Sequence, residues 1–260
     1  MAEAPVEVAG SAFPVFASPG AEPRARSLAR MVEHARDWLS EVLGFEPRVR
    51  LQVLDAEAWA GEAPAPAYGT PHTAGGDTVV IAAGPSDLFD EIRDVILREA
   101  SAGPRAQLFQ VYGDPPNLSS FVDLLAVHEL AHLYHEQVPF TFPALWLQEL
   151  FADVALEGYV VEALPAAHRV LETLPRASRE IPPAMIPDHG LERFGEAAAG
   201  GLTDAWFRLR LHDAAIGLWD EGGRGLVRSM YERFRDAPSD QVDLGSVDPA
   251  LAAVPARWPD

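Results

Sequence analysis

His128-Glu129-Leu130-Ala131-His132 is followed seventeen residues later by Glu149, within Trp146-Leu147-Gln148-Glu149-Leu150-Phe151-Ala152-Asp153. Two histidines four apart on a helix lie one above the other on the same face. Their imidazoles can converge on one tetrahedral zinc ion (Zn2+), and the glutamate beside the first can reach a water on that metal. A catalytic zinc keeps three protein ligands and one open position. His128, His132 and Glu149 are therefore expected to be the ligands, with Glu129 as the general base that takes a proton from zinc-activated water and passes it to a leaving amine. Such a set would serve a peptide bond or another amide equally well.

The flanks support a bound metal. Phe121-Val122-Asp123-Leu124-Leu125-Ala126-Val127 and the intervening Leu130, Ala131 and Leu133 are largely apolar, so the helix is expected to be mostly buried. Buried imidazoles and carboxylates cost free energy unless they are partnered. Glu149 and Asp153, four apart, share a face of a second apolar helix. Asp153 is expected to accept the outer ring N–H of a ligating histidine. The chain has no cysteine, so any metal must be held by His, Asp and Glu. In the metzincin pattern the position of His135 would be glycine and that of Val138 histidine, which excludes that class and leaves His135 expected at the surface. His72 and His189 are expected to be ordinary loop histidines, and Arg208 and Arg210 solvated arginines of a helix.

The elements that must position these residues follow from periodicity. A short strand is expected around Ala12–Ala17, a helix over Arg24–Leu43 ending at Gly44, and a half-buried strand over Arg48–Leu54. Within the Pro/Gly-rich stretch Ala63–Gly76, Tyr68–His72 is expected to form an edge strand, where proline is tolerated. Asp77–Ala83 reads as a buried strand, and Ser86-Asp87 as the cap of a helix to about Ala100. Gly103–Ser119 reads as a loop, with Ser119-Ser120 capping the His128 helix. A second long helix is expected over Ala144–Ala163, then a proline-interrupted stretch (Pro165–Pro187), helices near 190–199, 203–219 and 223–235, and a loose tail with one turn near Pro249–Ala253. The expected fold class is α+β, one domain over 1–260 with an N-terminal α/β lobe (about 1–137), a helical C-terminal lobe (about 138–260) and the site between them.

Composition bounds the partners. In 260 residues there are 39 acidic side chains against 20 basic ones, all arginine, for a formal charge of −19. That excess disfavours nucleic acid and anionic membranes. The first seven residues carry acid where a secretion signal needs base, and no stretch approaches 18 apolar residues. The expectation is a cytoplasmic monomer or weak dimer acting on a peptide or protein.

The pair of motifs on consecutive helices resembles the gluzincin zinc metallopeptidases, most closely the short bacterial peptidase MA-like group, over about Tyr68–Leu156 and more weakly over 190–235. The resemblance implies a zincin-like fold and a zinc-dependent peptidase with His128, His132 and Glu149 as ligands, Glu129 as base and Asp153 behind a ligand. It also implies an edge strand that pairs with an extended peptide, for which Pro66–His72 followed by Thr78–Ile81 is the match. Leu150 stands where many gluzincins have glycine, and no exopeptidase G-x-M-E-N signature is present. For the residue that stabilises the oxyanion, the match offered is His212 in Arg210-Leu211-His212-Asp213, ahead of Tyr134, Tyr159 and Tyr231. A gluzincin fold that keeps its zinc but only binds a partner peptide is the alternative.

Overall fold

The computed structural model describes residues 3–61, 65–196, 201–236 and 243–259. Among the described residues, five short strands, β1 (Val6–Glu7), β2 (Val15–Ala17), β3 (Arg50–Leu54), β4 (His72–Ala74) and β5 (Thr78–Ala82), form one mixed sheet in the order β1-β2-β3-β5-β4. The centre is parallel, with Leu51 opposite Val79 and Val53 opposite Ile81, and both edges are antiparallel. Leu51, Val53, Val79 and Ile81 face the main core, while Leu54, Val80 and Ala82 face a smaller cluster around Trp59. Burial on both faces explains why Thr78–Ala82 is an unbroken apolar run.

The rest is mostly helical: α1 (Glu22–Leu43), α2 (Ala56–Ala60), α3 (Asp87–Glu99), α4 (Ala102–Tyr112), α5 (Ser119–Glu136), α6 (Leu145–Ala163), α7 (His168–Ala177) and α8 (Leu202–Asp236). Gly223, at φ 53°, breaks α8, which is the boundary expected between 203–219 and 223–235. Three four-residue helices occupy 244–257. One hydrophobic cluster runs from Val8 to Val254 through α1, α5, α6 and α8. No helix of the described residues is long and apolar enough to cross a membrane.

Several local expectations are corrected. Residues 102–112 are helical despite Gly103 and Pro104, because Leu108 and Tyr112 are buried and the Tyr112 hydroxyl donates to the Val170 carbonyl on α7. The proline-interrupted stretch contains α7, with Pro175 inside its last turn. The region expected as a helix at 190–199 has a 3-10 turn at Leu191–Arg193, and 197–200 lies outside the described residues. The edge strand falls at His72–Ala74, after the turn that contains Tyr68–Thr70. Gly69 (φ 93°) permits that turn: a Cβ there would sit 2.1 Å from Ser86 Cβ. Ser86 does not cap α3 with its side chain but donates to the Tyr68 carbonyl, and Ser119 begins α5 as its first residue rather than capping it.

Gly158 is a close contact of the α6–α8 interface. A Cβ there would meet the Trp219 ring at 2.3 Å. Gly158→Ala is therefore expected to destabilise the fold by about 1–3 kcal/mol through overpacking, outweighing alanine's better helix propensity. A lowered urea midpoint checks this.

Candidate metal centre and cleft

The helix α5 is apolar nearly all round, and His128, Glu129 and His132 are all buried on it. It lies against β4 and β5 and is fastened there at its C-terminal end. Thr73 Oγ1 donates to Glu136 Oε1 (2.7 Å), and Gln137 Nε2 donates to the carbonyls of Arg48 (2.7 Å) and Gly76 (3.0 Å). The next helix, α6, runs beside α5 and carries Glu149, Asp153 and Glu157 at four-residue intervals, all buried. Opposite it, α8 presents Asp204, Arg208 and His212 at the same interval. The two rows form a polar ladder inside an otherwise apolar interface.

His128 Nε2 lies 3.1 Å from His132 Nε2 and 3.2 Å from Glu149 Oε2, and His132 Nε2 lies 3.8 Å from the same oxygen. Tetrahedral zinc with nitrogen and oxygen ligands spaces its donors by about 3.3–3.4 Å. The donor chemistry and spacing therefore fit a divalent ion, and the buried His128-Glu129-His132 group can hold one.

Each imidazole is oriented from behind. His128 Nδ1 is 2.8 Å from Asp153 Oδ1, the contact expected of Asp153. His132 Nδ1 is 2.9 Å from Nε2 of His135. His135 is thus not at the surface: it is buried among Phe140, Phe142 and Phe151, because the Val138–Pro143 connection folds its two phenylalanines over it. Burial first, then the neighbouring His132, pushes the His135 pKa down to about 3. It stays neutral; in the tautomer that carries its hydrogen on Nδ1, its Nε2 accepts from His132 Nδ1 and leaves His132 Nε2 with its lone pair free.

Electrostatics explain how the ladder tolerates burial. Burial opposes ionisation of Glu149, but the Arg208 guanidinium and the His132 and His128 imidazoles together hold the carboxyl well below its usual range. Arg208 Nη1 donates to Glu149 Oε2 (2.6 Å), and its Nε donates to Asp204. This corrects the expectation of a solvated arginine. Burial would lower the pKa of His128, yet the Asp153 carboxylate and its neighbours push it up to about 10. His212 is likewise raised to about 9, against burial, by Asp153 and Glu157. Its Nδ1 lies 3.2 Å from Asp153 Oδ1 and its Nε2 faces Glu157 Oε2 at 3.6 Å. His212 therefore stands behind Asp153 with both ring nitrogens directed at carboxylates.

With His128 holding its extra proton far above neutrality, metal uptake must displace it. Zinc titration of the metal-free protein near pH 7 is expected to release about one proton from this residue and to weaken as the pH falls. Calorimetry in two buffers of different ionisation enthalpy measures the number.

A cleft of about 650 Å3, counting its mouth, reaches His128 and Glu129 of this centre, while His132 and Glu149 lie outside its lining. One wall is apolar, with Leu88, Phe89 and Ile92 of α3 facing Phe121 and Leu125 of α5; the floor carries His128, Glu129, Asp153, Arg208 and His212. Thr70 and Pro71, just before β4, border the same space, whereas His72 and His189 do not. Comparison of the chain with protein-family models, with curated proteins and with solved structures finds no match. The roles of Arg208, His135 and Glu157 escaped the sequence analysis. The four-residue spacing of charged residues within apolar helices was the available signal for Arg208 and Glu157; nothing local marked His135.

Proposed function

We propose that this chain is a zinc-dependent peptidase of gluzincin type, built on a zincin-like two-lobed fold. The observation that carries the proposal is the convergence of His128 Nε2, His132 Nε2 and Glu149 Oε2, within 3.1–3.8 Å of one another, with His128 and the buried Glu129 beside it lining a cleft. Zinc held there would supply Lewis acidity and make water a better nucleophile. Glu129 takes the proton from the attacking water and returns it to the leaving amine. Asp153 and His135 hold the two imidazoles in the tautomers that leave both Nε2 atoms as donors. The β4 edge accepts an extended peptide backbone, and the apolar wall of α3 and α5 receives an apolar side chain. Arg208 and His212 both line the cleft and both face carboxylates, and Arg208, whose guanidinium is always charged, is the one assigned to meet negative charge developing on a substrate oxygen.

One observation favours the alternative, a zinc-retaining protein that binds a partner peptide without efficient turnover. Arg208 engages the same Glu149 oxygen that faces the two histidines, which weakens that oxygen as a metal donor. Metal content and peptide-library cleavage separate the two. The peptidase reading expects an ion that His132→Ala and Glu149→Ala both lose, together with cleavage by the wild type. Zinc bound through those residues without cleavage of any library would favour the binder, and zinc uptake indifferent to both substitutions would remove the centre altogether.

A further inference from the structure

A second cluster of metal-ligand type, Glu157, His168 and Glu172, lies where α6 turns into α7. The 3-10 turn Pro165–Ala167 brings His168 back against Glu157. His168 Nε2 lies 3.1 Å from Glu157 Oε1 and 3.0 Å from Glu172 Oε1, one helical turn along α7. Ligand atoms of the three side chains all lie within 4.8 Å of one another. A single ring nitrogen carries at most one hydrogen, so it cannot serve both carboxylates fully. The separations of 3.0 and 3.1 Å are near those of donors around one small divalent ion.

The second observation is the state of Glu157. Its side chain is only 1% exposed, yet Oε2 makes no hydrogen bond, and neither does the His212 Nε2 that it faces at 3.6 Å. A carboxylate buried this deeply, with Oε2 met only at ion-pair distance by the His212 imidazole, depends on strong binding of its other oxygen. Its other oxygen points into the cluster with His168, whose side chain is 38% exposed, so an ion has a route in from solvent.

We propose that Glu157, His168 and Glu172 form a second divalent-cation site, selective for a metal that accepts imidazole and carboxylate together, such as zinc. Glu157 belongs to both assemblies. Oε1 is a ligand of the outer ion and Oε2 faces His212, which in turn holds Asp153 behind His128. The outer ion thus braces the ladder that orients the inner site. Arg176, which donates to Glu172 Oε1 at 2.7 Å and is half exposed, competes for one ligand and swings out when the ion enters. The site does not rest on the inner centre, and either can fail alone.

Zinc titration of the metal-free full-length chain tests it, with stoichiometry as the readout. The wild type is expected to bind two ions. His168→Gln and Glu172→Gln are each expected to lose one and keep the ion that His132→Ala removes; His132→Ala is expected to keep an ion that His168→Gln removes. Arg176→Ala should tighten the outer ion several-fold, an effect that a plain ion-pair cluster would not produce. His168 and Glu172 lie near the surface, and matching thermal unfolding of the metal-free variants verifies their fold. Stoichiometry unchanged by both His168→Gln and Glu172→Gln overturns the proposal. So does an outer ion held no more tightly than about millimolar, an affinity worth only about 4 kcal/mol and within reach of any exposed carboxylate pair.

Discussion

Glu129→Gln is expected to abolish most peptide cleavage while leaving the inner zinc in place, with kcat falling by about 10²- to 10⁴-fold. Glutamine keeps the volume and a hydrogen-bonding oxygen but cannot take a proton from water. The three residues that converge within 3.8 Å of one another, His128, His132 and Glu149, are untouched by the change. The prediction therefore has two readouts, cleavage rate and inner metal content, and only their divergence supports the assignment. Equal rates for variant and wild type would show that Glu129 is not the base. Loss of the inner metal together with activity would give it a ligand's role, which its position in the His128-Glu129-His132 cluster also allows.

Asp153→Ala is expected to produce the largest combined loss of metal affinity and stability. Asp153 Oδ1 is shared by His128 Nδ1 at 2.8 Å and His212 Nδ1 at 3.2 Å, and its own carboxyl is pulled below the usual range by those two imidazoles despite a burial that opposes ionisation. Without it, His128 loses the acceptor that orients its ring, a change that elsewhere costs about 10- to 100-fold in metal affinity. Two imidazoles raised toward the charged form would also be left in an apolar interface. Removing one partner of a buried ionic network costs about 3–5 kcal/mol, so the metal-free variant should unfold at markedly lower urea. The sign with pH follows. Raised pKa values of about 10 for His128 and 9 for His212 contribute stability that is complete below about pH 6.5, the ordinary histidine value, and lost as pH rises through 9 to 10. The gap in stability between wild type and Asp153→Ala should accordingly shrink from about pH 6.5 upward and level off near pH 10, and a gap constant from pH 6 to 11 would show that these imidazoles carry no such charge.

Much of the framework was legible in the chain because local rules and tertiary demands agree there. The helix of Glu22–Leu43, the buried strand Thr78–Ala82 and the two helices carrying His128 and Glu149 lie within a few residues of their expected bounds. Each has a long apolar pattern that one burial geometry satisfies. The errors fall where local signals mislead. Gly103 and Pro104 read as loop, yet Pro104 occupies the first turn of α4, where its missing N–H costs nothing. Pro175 stands at the other end of α7, while the buried Leu171 and Leu174 hold that helix against the core.

The sequence by itself determined how the histidine pair stands: four-residue spacing places His128 and His132 on one face, and the absence of cysteine leaves only imidazole and carboxylate as metal donors. It also determined that Asp153 would stand one turn from Glu149, because helical geometry alone fixes that relation. Only the tertiary structure decided what those residues meet. Arg208 reaches Glu149 across 59 positions of sequence, His212 reaches Asp153 across another 59, and His135 is covered by a loop that periodicity reads as a mere connection. The physical reason is that pairing across α6 and α8 depends on how two helices are rotated against each other. That rotation is set by close contacts such as Gly158 against Trp219, and no local spacing rule contains it.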